Sequence, residues 1–296
     1  MSENKPNYSS DTLKNKIEAL PSISNIVKQN NVAAKKSLGQ NFIFDTNVLN
    51  KIVSVSGNVF KKHVLEIGPG PGGLTRAILS HGAGKVTSVE KDERCINLLK
   101  DLEVISEGKL EIINGDALKI EEREIASSHK IKVIANLPYN IATELLFKWL
   151  SKLELFESMT LMFQKEVSDR ITAKSGNKIY GRVSVIAQWL CEVRHEFDIP
   201  PEVFFPAPKV TSSVITLIPR KQPLYPANKE YLEKLCKAAF GQRRKMLRSS
   251  LRQILKEPEL ALNAALIDPT MRAEQLTIEQ FCALARAIEL WQLQKL

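Results

Sequence analysis

The chain has 296 residues, of which 44% are hydrophobic and 25% are charged, and it carries a formal net charge of +9. Its apolar fraction excludes wholesale disorder, and its length suits one large or two ordinary domains. No apolar run approaches the roughly 20 residues of a membrane helix, so an integral membrane protein is excluded. The positive balance favours an acidic partner, most often a nucleic acid.

The cysteines are too far apart in the sequence to form a thiolate zinc motif: Cys95, Cys191, Cys236 and Cys282. Their spacing also argues against a disulfide scaffold and fits a reducing compartment, so we predict no bound metal. Residues 1–33 are polar, lack an apolar signal region and contain no arginine. We predict that they form a flexible extension, with at most a short helix at 10–20, and that the protein is cytoplasmic.

From Lys61 onward, short β-branched runs alternate with helical patterns. The predicted strands are 64–67, 86–90, 110–114, 133–136 and 159–164. The predicted helices are 74–81, 94–102, 141–150 and 165–173. This alternation predicts a Rossmann-like α/β fold, with a parallel sheet that carries helices on both faces. A later strand at 213–218 is expected to form an antiparallel hairpin with 193–199.

The sequence changes character after Pro219. Residues 222–228 contain two prolines and are typical of a linker, whereas the residues after them predict only helices. The helical segments are expected near 231–240, 243–255, 257–265 and 277–290. We therefore predict a catalytic domain at 34–221 and a smaller all-α domain at 222–296. We also predict a monomer, because no segment suggests an obligate interface.

A glycine-rich turn at 68–73 joins the first predicted strand to a helix. Glycine lets the backbone turn sharply and approach a ligand, and the helix N-terminus offers N–H groups to it. Gly68, Gly70 and Gly73 fit the pattern G-x-G-x-x-G. That pattern alone is a weak signal, because tight turns also use glycine for steric reasons.

Two acids strengthen the prediction of a cofactor site. Glu90 ends the second strand, where a carboxylate can accept hydrogen bonds from both hydroxyls of a ribose. Asp116 follows the third strand and can accept from an exocyclic amine or cap a helix. Together these features predict a nucleoside-containing cofactor. At this point NAD and S-adenosylmethionine both remain open.

The fourth predicted strand ends in Asn136, Leu137, Pro138 and Tyr139, at the sheet edge where open parallel sheets bind ligands. An aryl amine is a poor nucleophile because its lone pair is delocalised into the ring. The Asn136 side-chain oxygen and the Leu137 carbonyl can accept both of its N–H groups and aim the lone pair at a methyl carbon. The proline stiffens the turn, and the tyrosine can stack on the base. This chemistry favours S-adenosylmethionine, and an ordinary X-Pro turn is the alternative.

Several segments resemble, in order and spacing, the motifs of the ribosomal RNA adenine N6-dimethyltransferases. They are KSLGQNF at 36–42, VLEIGPG at 64–70, NLPYN at 136–140, QKEV at 164–167, YGR at 180–182 and FFPAPKV at 204–210. The resemblance covers about residues 34–255 and is strongest to the bacterial small-subunit branch. It implies dimethylation of two adjacent adenines in the 3′-terminal hairpin loop of 16S rRNA, within an immature 30S particle late in assembly.

The resemblance also assigns roles by position. It places cofactor contacts at Asn41, Ile43, Gly68, Glu90, Asp116 and Asn136. It places the target-amine pocket at Asn136, Leu137, Pro138 and Tyr139, and it makes Phe204 the second aromatic that faces a flipped adenine. Without the resemblance, Phe204 would be interpreted as a core aromatic. Glu66 matches a position near the methionine amino group, or it is a buried acid behind the glycine turn.

Residues 231–252 hold seven basic side chains and one acid. Arginines recur at 244, 248 and 252, and leucines recur at 247, 251 and 255, so we predict a helix with buried leucines and outward arginines. The predicted RNA contacts are Arg243, Arg244, Lys245, Arg248 and Arg252. A solvated charged face without a ligand is the alternative.

Three other functions remain open from the sequence. The first is an adenine methyltransferase of the antibiotic-resistance type that acts on large-subunit RNA, although residues 240–245 favour the small-subunit type. The second is a NAD-dependent dehydrogenase, which would leave the Asn-Leu-Pro-Tyr segment unexplained. The third is an assembly factor that binds ribosomal particles without catalysis.

Overall fold

The computed structural model describes residues 8–126 and 129–293. Its strands are β1 (Phe42–Ile43), β2 (His63–Ile67), β3 (Lys85–Glu90), β4 (Leu110–Asn114), β5 (Ile131–Asn136), β6 (Phe156–Gln164), β7 (Cys191–Ile199), β8 (Phe204–Phe205) and β9 (Ser212–Pro219). Its α-helices are α1 (Tyr8–Glu18), α2 (Ile23–Gln29), α3 (Thr46–Val55), α4 (Gly73–Ser80), α5 (Glu93–Ile105), α6 (Glu122–Ala126), α7 (Ala142–Leu150), α8 (Lys165–Thr172), α9 (Arg182–Leu190), α10 (Lys229–Gly241), α11 (Leu247–Ser250), α12 (Pro258–Ala264) and α13 (Ile278–Leu293).

Among the described strands, seven form one sheet in the order β4-β3-β2-β5-β6-β9-β7. The pairs among β2, β3, β4, β5 and β6 are parallel, and β9 runs antiparallel to β6. Parallel neighbours need crossover connections, and helices between the strands supply them. The predicted Rossmann-like sheet is therefore confirmed. A separate small sheet pairs β1 with β8, which aligns Phe42 with Phe205 and Ile43 with Phe204.

The chain divides into two compact units by its internal contacts. The first comprises residues up to 165 together with 195–219, and the second comprises 166–194 together with 220–296. The sequence predicts one boundary after residue 221, whereas the second unit also takes α8 and α9. The reason lies in local packing: α9 contacts α10, and the buried Trp189 donates from Nε1 to the carbonyl oxygen of Tyr225 at 2.7 Å.

The short helix expected at 10–20 is present as α1, whereas the packing of residues 8–29 does not fit a flexible extension. Residues 1–7 of the predicted extension lie outside the described residues. Residues 8–29 contain α1 and α2, and Leu13 and Ile17 on one face of α1 are buried in the core of the first unit. This face packs against α4 and α5. Ser22 caps α2 by accepting a hydrogen bond from the Asn25 N–H group. Burial of the apolar stripe therefore orders a segment whose composition is mostly polar.

The prediction of a continuous helix at 243–255 is also wrong. The preceding helix α10 ends at Gly241, and residues 242–246 form a turn before the short α11. Met246 has an extended backbone, and the Leu247 N–H donates to the carbonyl oxygen of Met271 instead of continuing a helix. The leucines at 247, 251 and 255 are nevertheless buried, as predicted.

No helix in the described ranges is both long and apolar enough to cross a membrane. The same ranges contain no group of three or more His, Cys, Asp or Glu side chains placed to hold a metal.

Candidate active site

A cavity in the first unit lies at the carboxyl ends of β2, β3, β4 and β5. The loops that follow these strands, together with residues 37–43, line it. The structure brings all of the predicted cofactor contacts into this lining: Asn41, Ile43, Gly68, Glu90, Asp116 and Asn136. Leu137, Pro138 and Tyr139 also line it. Five segments that are far apart in the sequence therefore meet at one edge of the sheet.

The glycine turn fits a closely approached ligand. Gly68 and Gly70 adopt φ values of +67° and +55°, which glycine tolerates far better than other residues. A Cβ atom on Gly70 would lie 3.1 Å from the ring of Phe42. The aromatic ring of the QNF segment can therefore rest on this turn only because residue 70 has no side chain.

Glu90 closes the turn from the neighbouring strand. Its carboxylate accepts hydrogen bonds from the backbone N–H groups of Gly70 at 3.1 Å and of Lys91 and Asp92 at 2.8 Å each. Burial raises the pKa of Glu90, and these three hydrogen bonds oppose that rise. A carboxylate offers about four acceptor sites, so one remains for a ribose hydroxyl.

Asp116 follows β4, the edge strand that pairs with β3. Its Oδ1 accepts from the Leu118 N–H at 3.1 Å, and its Oδ2 pairs with the Lys91 amine at 2.9 Å. The hydrogen bond from Lys91 is the main reason why the pKa of Asp116 is lowered. A turn at 117–119 follows Asp116, so the residue caps a turn and not a helix.

Glu66 lies behind the glycine turn and is absent from the cavity lining. The hydroxyls of Thr75 and Ser88 donate to its Oε2 at 2.7 and 2.8 Å, while its buried Oε1 has no hydrogen-bond partner among the described residues. Burial raises the pKa of Glu66 to about 7. Of the two interpretations of this acid, its surroundings favour the buried acid, which connects β2 to α4 and β3 through Thr75 and Ser88.

The amide of Asn136 is oriented by the QNF segment. Its Nδ2 donates to the carbonyl oxygen of Asn41 at 3.1 Å, which leaves Oδ1 as the acceptor. Gly39, with φ of +64°, packs closely against the loop that follows β5. A Cβ atom on residue 39 would lie 2.9 Å from Asn140 Oδ1. The KSLGQNF and NLPYN motifs therefore contact each other through backbone and amide groups.

Tyr139 is half-buried, and its hydroxyl lies 2.6 Å from the hydroxyl of Ser212 on β9. Burial raises the pKa of Tyr139, so the phenol stays neutral at physiological pH. Sequence analysis missed Ser212, because its only signal is its place at the start of a strand. It also missed the role of Gln40, whose amide donates to Asp92 Oδ2 at 3.0 Å and accepts from the Lys35 N–H at 2.8 Å.

The structure does not bring Phe204 to the cavity, in contrast to the prediction. Its ring is 4% exposed and belongs to the core of the first unit. The pairing of β8 with β1 sets Phe204 beside the buried Ile43 and turns the next ring outward. Phe205 is 56% exposed, and its ring centroid lies 5.7 Å from that of Phe44.

In the second unit, the predicted RNA contacts divide into two kinds. Arg244, Lys245, Arg248 and Arg252 are exposed. Arg243 is half-buried, and its Nη2 donates to the carbonyl oxygens of Lys178 at 2.6 Å and Tyr180 at 2.7 Å. Its guanidinium also lies over the ring of Phe240. Arg243 therefore ties together segments of its own unit.

The fold and the cavity define a class: a methyltransferase with a nucleoside-containing cofactor. The family model described as "Ribosomal RNA adenine dimethylase" matches residues 31–290. "Ribosomal RNA small subunit methyltransferase A" of Rhodospirillum rubrum is 50% identical over 272 residues, which is 92% of this chain and 94% of that relative. The chain belongs to the ribosomal RNA adenine dimethylase family, whose cofactor is S-adenosylmethionine.

Two solved structures resemble the fold. A dimethyladenosine transferase from Plasmodium falciparum has a TM-score of 0.70 and 26% identity, covering 86% of this chain and 98% of that one. The 23S rRNA methyltransferase ErmE has a TM-score of 0.64 and 26% identity, covering 84% of this chain and 100% of that one. The fold is therefore shared by an enzyme named for dimethyladenosine and by one named for 23S rRNA.

Proposed function

We propose that this protein transfers methyl groups from S-adenosylmethionine to N6 of two adjacent adenines in the 3′-terminal hairpin loop of 16S rRNA. We also propose that it acts as a monomer in the cytoplasm, on immature 30S particles late in assembly. Relatives that are about half identical are named small subunit methyltransferases, which supports the small subunit as the substrate. The observation that carries the chemistry is the orientation of Asn136 by Asn41.

That orientation explains how an adenine amine could be activated. With Nδ2 held by the Asn41 carbonyl, the Oδ1 atom of Asn136 is available to accept one amine N–H, and the Leu137 carbonyl can accept the other. The Asn136 acceptor is oriented before the substrate arrives, so little reorganisation of its amide is required. After N6 accepts the methyl group, the nitrogen carries a positive charge. In this form it is acidic enough to lose its proton to water, so the pocket needs no general base.

Tyr139 supplies a face on which a flipped adenine can stack, with a contribution of about 1–3 kcal/mol. The ring of Phe204 is buried in this structure and does not line the cavity. Its role as the second face therefore has no support from the structure and stays a prediction. S-adenosylmethionine, when bound, supplies an electrophilic methyl group. The glycine turn, Glu90 and Asp116 would hold its nucleoside part.

The exposed basic side chains of residues 244–252 are proposed to contact RNA phosphates. Arg244, Lys245, Arg248 and Arg252 lie within nine residues and are all exposed. Such a cluster attracts the phosphate backbone without reading sequence. Base selection is therefore assigned to the first unit and general affinity to this segment.

The test is transfer of a labelled methyl group from S-adenosylmethionine to small and large ribosomal subunits that lack the modification. Nucleoside digestion then identifies the product. We expect N6,N6-dimethyladenosine in the small-subunit RNA alone. Label in large subunits would instead favour the substrate of the 23S-type structural relative, and no label in either would overturn the proposed activity.

A further inference from the structure

Ser212 is placed by topology at the edge of the sheet that carries the amine pocket. The first-unit strand β9 runs antiparallel to β6, and its first residue pairs with Gln164, the last residue of β6. Because β6 runs parallel to β5, which ends at Asn136, the start of β9 lies at the same edge. Strands β5 and β9 lie two strand spacings apart, about 10 Å, and the loop after β5 together with the side chain of Tyr139 covers this distance.

The contact at the end of that span is short and enclosed. The two hydroxyl oxygens lie 2.6 Å apart, and Ser212 is completely buried. One hydroxyl must donate and the other accept, so the phenol has a fixed partner away from the cavity. A tyrosine ring that is anchored at its hydroxyl retains little freedom to swing, because only two side-chain torsions connect it to the backbone.

We propose that Ser212 is a positioning residue, which acts through the hydroxyl of Tyr139 to hold the ring against the target adenine; this rests on the proposed function. The hydroxyl bond removes rotational freedom of the ring before the base arrives. The base then meets a ring at a set angle, and its amine is kept in line with the acceptors at Asn136 and Leu137. Small misplacements of reacting groups are costly in rate, whereas they change ground-state binding little.

This role separates Ser212 from its neighbour on the same strand. Ser213 is equally buried, but its hydroxyl donates to Asp198 Oδ1 at 2.6 Å, where His195 also binds. Ser213 makes no hydrogen bond to Tyr139 in the described structure. Ser213→Ala is therefore a matched control, because it deletes a buried hydroxyl one residue away.

The experiment is a double-mutant cycle with Ser212→Ala and Tyr139→Phe, measured as kcat and KM on the acceptor that the wild-type enzyme methylates. We expect each single variant to lower kcat about five- to tenfold, as the loss of one hydrogen bond would. We expect KM for the acceptor and Kd for S-adenosylmethionine to stay within about twofold. The double variant should be no slower than Tyr139→Phe alone, and Ser213→Ala should retain kcat within about twofold.

Multiplicative effects in the double variant, or an unchanged kcat in Ser212→Ala, would overturn the proposal. A kcat loss in Ser213→Ala equal to that in Ser212→Ala would also overturn it, since both would then report general damage to β9. If Ser212→Ala does not fold, Tyr139→Phe removes the same hydrogen bond from the tyrosine side. An unchanged kcat in Tyr139→Phe would then refute the proposal. Failure of the proposed function is separate, because it would appear as absent transfer by the wild-type enzyme to small subunits.

Discussion

The proposed amine pocket, residues 136–139, and the proposed RNA-binding segment, residues 242–252, hold their side chains in different ways. In the pocket, Asn136 and Tyr139 are partly buried and each makes a hydrogen bond to another segment of the first unit. In the basic segment, the side chains of Arg244, Lys245, Arg248 and Arg252 extend into solvent. Transfer of a methyl group requires acceptors that are fixed in advance, whereas attraction of phosphates requires only accessible charge.

The largest expected effect tests the fixed acceptor. Asn136→Ala removes the Oδ1 atom and should lower methyl transfer to small subunits by about 100- to 1000-fold, as loss of a preorganised polar group does in other enzymes. Binding of the particle should persist, which a sedimentation assay can measure. Asn114→Ala is a suitable control, because this asparagine is exposed at the end of β4, in the same sheet, and does not line the cavity. A small rate loss in Asn136→Ala would remove the pocket from the mechanism.

The next effect tests the accessible charges. Arg244→Glu combined with Arg248→Glu should weaken particle binding and reduce the slope of log affinity against log salt by about 2, one for each phosphate contact. The affinity for S-adenosylmethionine, measured by calorimetry, should not change. Lys28→Glu with Lys100→Glu alters the net charge equally at exposed sites of the first unit and should leave the slope intact. An equal decrease of the salt slope in the two double variants would indicate a nonspecific effect of net charge.

A smaller effect distinguishes Arg243 from the other arginines of the segment. Because Arg243 donates to two backbone carbonyls, Arg243→Ala should lower the free energy of unfolding by about 1–3 kcal/mol. Arg252→Ala, at an exposed position, should change it by less than about 0.5 kcal/mol. Urea denaturation measures both values, and identical stabilities would contradict the structural role of Arg243.

An effect that is confined to high pH concerns Glu66, the buried acid near the end of β2. The pKa of Glu66 is raised from 4.5 to about 7, so between these values the folded chain keeps a proton that the unfolded chain has lost. The free energy of unfolding therefore falls as pH rises through this interval. Glu66→Gln removes the penalty and should raise stability by about 1–3 kcal/mol at pH 8, with little change at pH 5. A pH-independent difference between variant and wild type would exclude this linkage.

Much of the fold follows from local sequence signals. The strands at 64–67, 86–90 and 110–114 were predictable because β-branched runs end in turn residues, and the cavity was predictable because parallel strands share their carboxyl edge. The α3 and α9 helices were missed. The segment of α9 is almost uniformly buried, and an apolar run without amphipathic period does not distinguish a helix from a strand.

The site was predictable where its residues follow strands, and it was missed where tertiary packing decides. Nothing local separates Phe204 from Phe205, and only the register of β8 against β1 buries the first ring and exposes the second. The same holds for Ser212, since its partner is 73 residues away in the sequence. Arg243 was grouped with its basic neighbours because charge alone does not reveal a hydrogen bond to a distant carbonyl.

The N-terminal helices have a practical consequence for protein engineering. The family match begins at residue 31, yet Leu13 and Ile17 of α1 are buried against α4, the helix that starts at the glycine turn. A version of the chain trimmed to the family boundary would uncover the apolar surface of α4 and α5 and invite aggregation. Residues 8–29 thus shield an apolar surface from solvent, and a chain that started at residue 31 would lack them.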